Sequence, residues 1–505
     1  MAARGITWNA VALPDRRALR RSAGIAVLAA AVATSGVSVA IHRSFAPGRV
    51  IGVGVSPWFA DPSVSPDGQP TLPDMASVEQ VVRAPQAWSV GATGAGVDVA
   101  VLDSGVTPVQ GLDASNKVVY GPDLSFDSQS PSSAFVDGYG HGTAMAGIIA
   151  GNDGTAGGFK GVAPGARIVS VKVGAANGAV DVSQIIAGID WVTQHAHDPG
   201  MNIRVLNISL GTDTTQSYLL DPLAHAAEAA WRHGIVVVAA VGNDGAANKT
   251  VADPAIDPYV IAVGSEDPLG TINTSDDVVS PFSSRGNTDR HADVVAPGSY
   301  LVGLRVPGSY LDTNSPNARV GDRFFRGSGT SQAAAVVSGV VADVLSVRPN
   351  LTPDRAKKLL KKTAGSIATD RANFVGAGLV DAASATAGSV DKEFAQTYAP
   401  ATGLGSLELS RGNSHVASNG VVLTGEQDIF GNPWVPGTIA PAEESAATWS
   451  GGTYNGATWS GATWSGATWS GATWSGATWS GATWSSATWS SATWSGSTWS
   501  SDGWN

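Results

Sequence analysis

The sequence predicts an α/β fold of three layers, with a mostly parallel central sheet covered by helices on both faces. Short runs such as 97–102, 203–210 and 235–241 are almost wholly apolar, as strands buried on both faces must be. Amphipathic segments of helix length, 182–195 and 223–233, alternate with them. Hydrophobic residues make up 43% of the chain, which is enough for a substantial core.

Residues 1–42 read as an export signal or a retained N-terminal anchor. Arg16, Arg17, Arg20 and Arg21 precede a small-residue apolar run from Gly24 to Ile41, and Ser38-Val-Ala40 has the form of a cleavage site. That run is close to the ~18-residue lower limit for a spanning helix. The protein is therefore expected to be secreted, with cell-wall or membrane association through its termini left open. Residues 43–74 have linker composition, with Pro57, Pro62, Pro66, Pro70 and Pro73.

The ordered domain is expected over residues 75–386. A helical pattern at 75–82 leads to the strand 97–102, which ends in Asp103-Ser-Gly105. A long loop follows, up to Asp137-Gly-Tyr-Gly-His-Gly-Thr143 and a small-residue helix at 144–151. Strands are expected near 166–173, 203–210, 235–241 and 259–263. The helices 182–195 and 223–233 lie between them. Further on, a glycine-rich turn enters a buried helix within Gly327–Gly339, and a charged amphipathic helix spans 353–363. Residues 387–446 read as a weakly ordered Gly/Ser-rich extension. Residues 447–505 form a low-complexity tail in which Gly-Ala-Thr-Trp-Ser recurs every five residues from Trp459 to Trp484 and variants of it keep the tryptophan period to Trp504, with Trp449 and Tyr454 in front. Such a tail is either a flexible chain of aromatic stickers or a solenoid of stacked coils.

A net charge of −11 and a pI near 5.1 argue against nucleic acid as a partner. With no cysteine, disulfides are excluded.

Four residues carry the chemistry. Asp103 ends a buried strand, His141 opens a helix between two glycines, and Ser331 opens another helix. In a parallel sheet, strand C-termini and the following helix N-termini share one edge, where open α/β sheets place ligands. An acid, an imidazole and a hydroxyl are the set needed for nucleophilic acyl transfer. Asn243, in Gly242-Asn-Asp-Gly245 directly after a strand, can donate its amide to a developing oxyanion together with the Ser331 N–H. Each motif alone is ordinary turn or cap chemistry. Their joint occurrence at matching strand and helix ends is what gives the signal.

These segments resemble the subtilases, the subtilisin-like serine peptidases, over about Val78 to Thr386. Asp103-Ser-Gly-Val, His141-Gly-Thr and Gly329-Thr-Ser331 match the three catalytic motifs. Gly161-Val-Ala-Pro-Gly-Ala166, Ser209-Leu-Gly211 and Val295-Ala-Pro-Gly298 also look like family segments. The resemblance implies an endopeptidase acting on protein or peptide substrates. It also implies that Ser209, Leu210 and Gly211 pair with the substrate backbone and form one wall of the specificity pocket. Ala240, Val241 and Gly242 would form the other wall, and Ala252 would lie at the floor, leaving room for a large apolar side chain. No cofactor is implied. Calcium commonly stabilises the family, and the loop Asn152–Gly158 is the candidate for supplying oxygen ligands. Two departures stand near the site: Ala144 follows the histidine motif, and Gln332-Ala-Ala-Ala335 follows the serine. The residues between Ala40 and Val82 are too few for the globular pro-domain many members carry. A catalytically quiet binding or adhesion module using the tryptophan tail is the alternative reading.

Overall fold

Eight strands form the central sheet of the computed structural model, which describes residues 45–46, 74–129, 133–247, 249–367, 375–418, 421–450 and 452–459. The strands are β1 (Asp98–Asp103), β2 (Val118–Asp123), β3 (Arg167–Lys172) and β4 (Ile203–Ile208), then β5 (Val236–Ala240), β6 (Ile261–Asp267), β7 (Val278–Val279) and β8 (Val294–Pro297). Their order is β2-β3-β1-β4-β5-β6-β7, with β8 also pairing with β6. Every pairing is parallel except β6 with β7. The mostly parallel sheet expected from the apolar runs is therefore present. β2 falls within the expected long loop. Its Gly121-Pro122 resembles a turn, but β2 is an edge strand, where a missing N–H costs no ladder bond.

The helices that bear on the site are α1 (Met75–Val81), α2 (His141–Ala150), α3 (Val182–His195) and α4 (Pro222–Arg232), followed by α5 (Thr330–Val347), α6 (Pro353–Thr363), α7 (Leu407–Arg411) and α8 (Pro436–Glu444). α3 starts with a capping box, in which Asp181 accepts from the Ser183 N–H while Gln184 reaches back to the Asp181 N–H. Asp221 caps α4 through Leu223 and Ala224. α5 is long and apolar enough to cross a membrane, but its window is 89% buried within the protein. It is hydrophobic all round because it is a core helix packed against α2, β4, β5 and β6.

The extension departs from expectation. The sequence reads as weakly ordered over 387–446, but α7, α8 and the chain around them pack onto α3 and α4. Leu407, Trp434 and Ile439 join the main core, and so do Trp449, Tyr454 and Trp459, the first aromatic positions of the repeat. The rings of Trp449 and Tyr454 lie 5.1 Å apart. The Trp449 Nε1–H donates to Ala187 O at 2.9 Å, and the Tyr454 hydroxyl donates to Asp190 at 2.8 Å. Large anchors spaced widely among Gly and Ser show no periodicity, so local pattern does not reveal them. The N-terminal signal or anchor, nearly all of the linker and the tail from residue 460 lie outside the described residues.

Candidate active site

Asp103 is the last residue of β1 and is fully buried. Its Oδ1 accepts from the Ser104 N–H at 2.7 Å, and both carboxylate oxygens lie 2.9 Å from His141 Nδ1. His141 is the first residue of α2. The close approach of α2 to β1 needs Gly142: a Cβ there would stand 2.1 Å from Gly105 O and 3.1 Å from Asp103 Cβ.

Sequence reasoning quoted Asp137 only as the start of a motif, yet it holds this corner together. Its carboxylate accepts from the Gly140 N–H at 2.7 Å, the Thr143 N–H at 2.8 Å and the Thr143 hydroxyl at 2.6 Å. The Ser104 hydroxyl also donates to it, at 2.8 Å. The signal that could have found it is an Asp four residues ahead of a helix whose own N-cap, Gly140, has no side chain to bond the first N–H groups. Burial pushes the His141 imidazole down. The charge and hydrogen bond of Asp103, with the more distant charge of Asp137, push it up, and the balance lies above the ordinary imidazole value.

Ser331 is the second residue of α5. Its hydroxyl donates to Ser209 O at 2.9 Å, while the Ser209 hydroxyl donates to Ser331 O at 3.1 Å. Ser209 directly follows β4, which pairs with β1 up to Leu102 and Ile208. The Asp103–His141 pair and the Ser209–Ser331 pair thus stand at the ends of neighbouring strands, spaced about 4.8 Å apart as sheet strands are. Behind Ser209, the Asn207 Nδ2–H donates to the Ser209 hydroxyl at 2.8 Å, and Ser338 of α5 donates to Asn207 Oδ1 at 2.9 Å.

Asn243 follows β5. Its Oδ1 accepts from the Thr330 N–H at 2.8 Å and the Thr330 hydroxyl at 3.1 Å. A backbone N–H can only donate, so the amide end facing it must be the oxygen. Nδ2–H₂ is then the donor end, and both ends lie beside Gly329, where an added Cβ would stand 3.5 Å from Nδ2 and 3.7 Å from Oδ1. Gln332 Oε1 is buried without a hydrogen-bond partner among the described residues, next to the same glycine.

Gly211, Gly242 and Ala252, three of the expected pocket residues, lie close together. Cβ atoms built on Gly211 and Gly242 would stand 3.1 and 3.4 Å from Ala252 Cβ. The Ala252 N–H donates to Val241 O at 2.9 Å, and Thr212 and Asp253 exchange backbone hydrogen bonds at 3.0 and 2.9 Å. Ala240, Leu210 and Val241 are buried.

The calcium candidate does not fit. The Asp153 carboxylate accepts from Arg323 Nη2 at 2.8 Å and Nη1 at 3.1 Å, so an arginine supplies the positive charge a cation would bring. Asn152 Oδ1 accepts from the Gly154 N–H at 2.9 Å, closing its own turn.

Comparison with known proteins bears on this geometry. The subtilase family model matches residues 94–395. Serine protease AprX from Bacillus subtilis is 36% identical over 325 residues, covering 63% of this chain and 71% of that protein. Subtilisin Savinase from Lederbergia lenta is 34% identical over 305 residues, covering 60% of this chain and 96% of that one. Among solved structures, fervidolysin from Fervidobacterium pennivorans, described as a keratinolytic enzyme related to subtilisin, superposes with a TM-score of 0.51 at 28% identity. The match covers 69% of this chain and 51% of fervidolysin. The subtilase model spans residues 94–395, and Asp103, His141, Asn243 and Ser331 all stand within that span at or just after strand C-termini or at helix N-termini, so the chain belongs to the subtilase family of serine peptidases.

Proposed function

We propose that this protein is an exported serine endopeptidase that cleaves peptide bonds through an acyl-enzyme on Ser331. The observation that carries the reading is the buried Asp103–His141 pair at 2.9 Å, one strand away from the Ser331 hydroxyl. Attack begins when the Ser331 hydroxyl turns from Ser209 O to the imidazole, a rotation about one side-chain bond. His141 takes the proton as Oγ bonds to the scissile carbonyl carbon. The resulting oxyanion accepts from Asn243 Nδ2–H and the Ser331 N–H. The imidazolium then gives its proton to the leaving amine as the C–N bond breaks. Water, deprotonated by the same imidazole, releases the acyl group and returns the hydroxyl. Asp103 keeps the Nδ1–H tautomer and stabilises the imidazolium.

The vacated Ser209 O is then free to accept a substrate backbone N–H, consistent with an extended peptide pairing along 209–211. The facing glycines over Ala252 favour a large apolar side chain before the scissile bond. Export is supported by the arginines and apolar run ahead of residue 42. The quiet adhesion reading relies on the tryptophan tail. Trp449, Tyr454 and Trp459 are buried in the core, which leaves that role to the repeats beyond residue 460.

The test is labelling of the purified protein with a fluorophosphonate probe, followed by mapping of the modified peptide. Modification of Ser331, abolished by Ser331→Ala together with peptide cleavage, is the expected result. A folded protein that cleaves nothing and does not label at Ser331 would leave the adhesion reading.

A further inference from the structure

The segment that follows Ser209–Gly211 does not hold its position by contacts within the peptidase domain alone. Thr212 donates its hydroxyl to Ser410 O at 2.5 Å. Thr214 donates to Leu409 O at 3.0 Å. Gln216 Nε2–H donates to Ser406 O at 2.7 Å, while its Oε1 accepts from the Ser406 N–H at 3.1 Å. All three acceptor carbonyls belong to α7 or its cap, in the extension beyond the peptidase domain.

The same helix reaches the back of the pocket floor. The Ser410 hydroxyl lies 2.9 Å from Asp221 Oδ1 and 3.4 Å from Asp253 Oδ2, and all three residues are fully buried. Asp253 is the neighbour of Ala252 and pairs by backbone with Thr212. Asp221 caps α4 and also accepts from Thr214 at 2.8 Å and Gln216 at 2.9 Å. One residue of the extension therefore touches both the segment after Ser209–Gly211 and the segment carrying the floor.

The next residue locks α7 in place. Arg411 is fully buried; its Nε–H donates to Asp181 Oδ1 at 2.7 Å, and its guanidinium also donates to Gly425 O and Gln427 O. Asp181 is the cap of α3, so α7 is pinned to the peptidase domain at a second point.

We propose that α7 is a strut for the specificity pocket, with Ser410 as the positioning residue that clamps the Thr212–Gln216 segment to Asp221 and the floor segment at Asp253. The C-terminal extension then sets the pocket's spacing. This rests on the reading of 209–211, 240–242 and Ala252 as the substrate pocket. Ser410 touches no substrate atom: its backbone carbonyl holds Thr212, the bond Thr212→Val removes, and its hydroxyl holds Asp221 and Asp253, the contacts Ser410→Ala removes.

The test uses full-length Ser410→Ala and Thr212→Val, with Tyr454→Phe as a control. That control removes the buried hydrogen bond to Asp190, which anchors the extension on α3 rather than at the pocket. kcat and KM are measured on peptide substrates with Phe or Ala before the scissile bond, together with the labelling rate by a small fluorophosphonate and the melting temperature. Both pocket variants are expected to raise KM for the Phe substrate by about fivefold, the worth of one hydrogen bond, with the labelling rate unchanged. Tyr454→Phe is expected to lower the melting temperature and leave KM unchanged. The proposal is overturned if Ser410→Ala and Thr212→Val lower the melting temperature without moving KM, or if Tyr454→Phe moves KM equally. If the parent protein itself fails to label, the peptidase reading falls first and this proposal falls with it.

Discussion

Asp103→Asn changes one atom of a buried carboxylate, and the surrounding hydrogen bonds dictate which atom. The Ser104 N–H sits 2.7 Å from Oδ1, so an asparagine must keep its oxygen there. Its NH₂ then occupies the Oδ2 position, 2.9 Å from His141 Nδ1. The retained oxygen also lies 2.9 Å from Nδ1, but the new NH₂ repels an Nδ1–H and can donate to a bare Nδ1, so the balance shifts toward the tautomer with its proton on Nε2. An Nε2 that already carries a proton cannot accept one from Ser331. Activity should fall by roughly 10⁴-fold in kcat, the scale of a wrong-tautomer triad, or about 5 kcal/mol of transition-state stabilisation. The fold should survive, because shape is conserved. The Asp103 charge also helps to raise the His141 imidazole, so the acid limb of any residual activity should move to lower pH. The assay is kcat and kcat/KM on a chromogenic peptide across pH, with the melting temperature as control. A variant that keeps more than about a tenth of the parent kcat, with unchanged melting, would refute the tautomer argument and with it the proposed role of Asp103.

In the parent enzyme, kcat/KM should fall with acidification through a value above the ordinary imidazole range, because the base must be neutral and its environment favours the charged form; a limb at or below that range would contradict this. Ala252→Leu should push a branched side chain between Gly211 and Gly242. It should cut kcat/KM for substrates with Phe before the scissile bond by roughly 10²-fold while sparing those with Ala, as read by peptide cleavage profiling. Asp293 accepts from Lys357, Lys361 and Arg290 at 2.8–3.0 Å, and Lys357 is itself buried. Asp293→Asn should therefore cost about 3–5 kcal/mol in denaturant unfolding, and a loss under 1 kcal/mol would count against this. Burial and the neighbouring Glu444 charge raise the Glu443 carboxyl to about 8, against an opposing effect of Arg232. The unfolded chain releases that proton near 4.5, so the Glu443 contribution to stability is complete below about 4.5 and is lost as the pH rises to about 8. Glu443→Gln should flatten the fall in melting temperature over that window.

The parts of this protein legible in its sequence are those where local pattern and local chemistry coincide. A strand buried on both faces must be apolar throughout, and α3 carries its capping box within four residues, so the sheet and its helices could be read in order. Asp103, His141, Asn243 and Ser331 each sit at a turn or cap with a distinctive neighbourhood, and parallel topology alone sends those turns to one edge. What the sequence could not reveal depends on partners far away in the chain. β2 looked like a turn because nothing local says that its proline faces an open sheet edge. Asp137 acts through hydrogen bonds that exist only once α2 is seated. Arg411 lies 230 residues from Asp181, and Ser410 lies 198 from Thr212. Glycine and serine around them suggested disorder, yet two pairings across the fold turn the stretch into a buried helix. Only the tertiary structure decided that the extension packs into the folded domain, because a buried ion pair and scattered aromatic anchors have no period for a sequence to display.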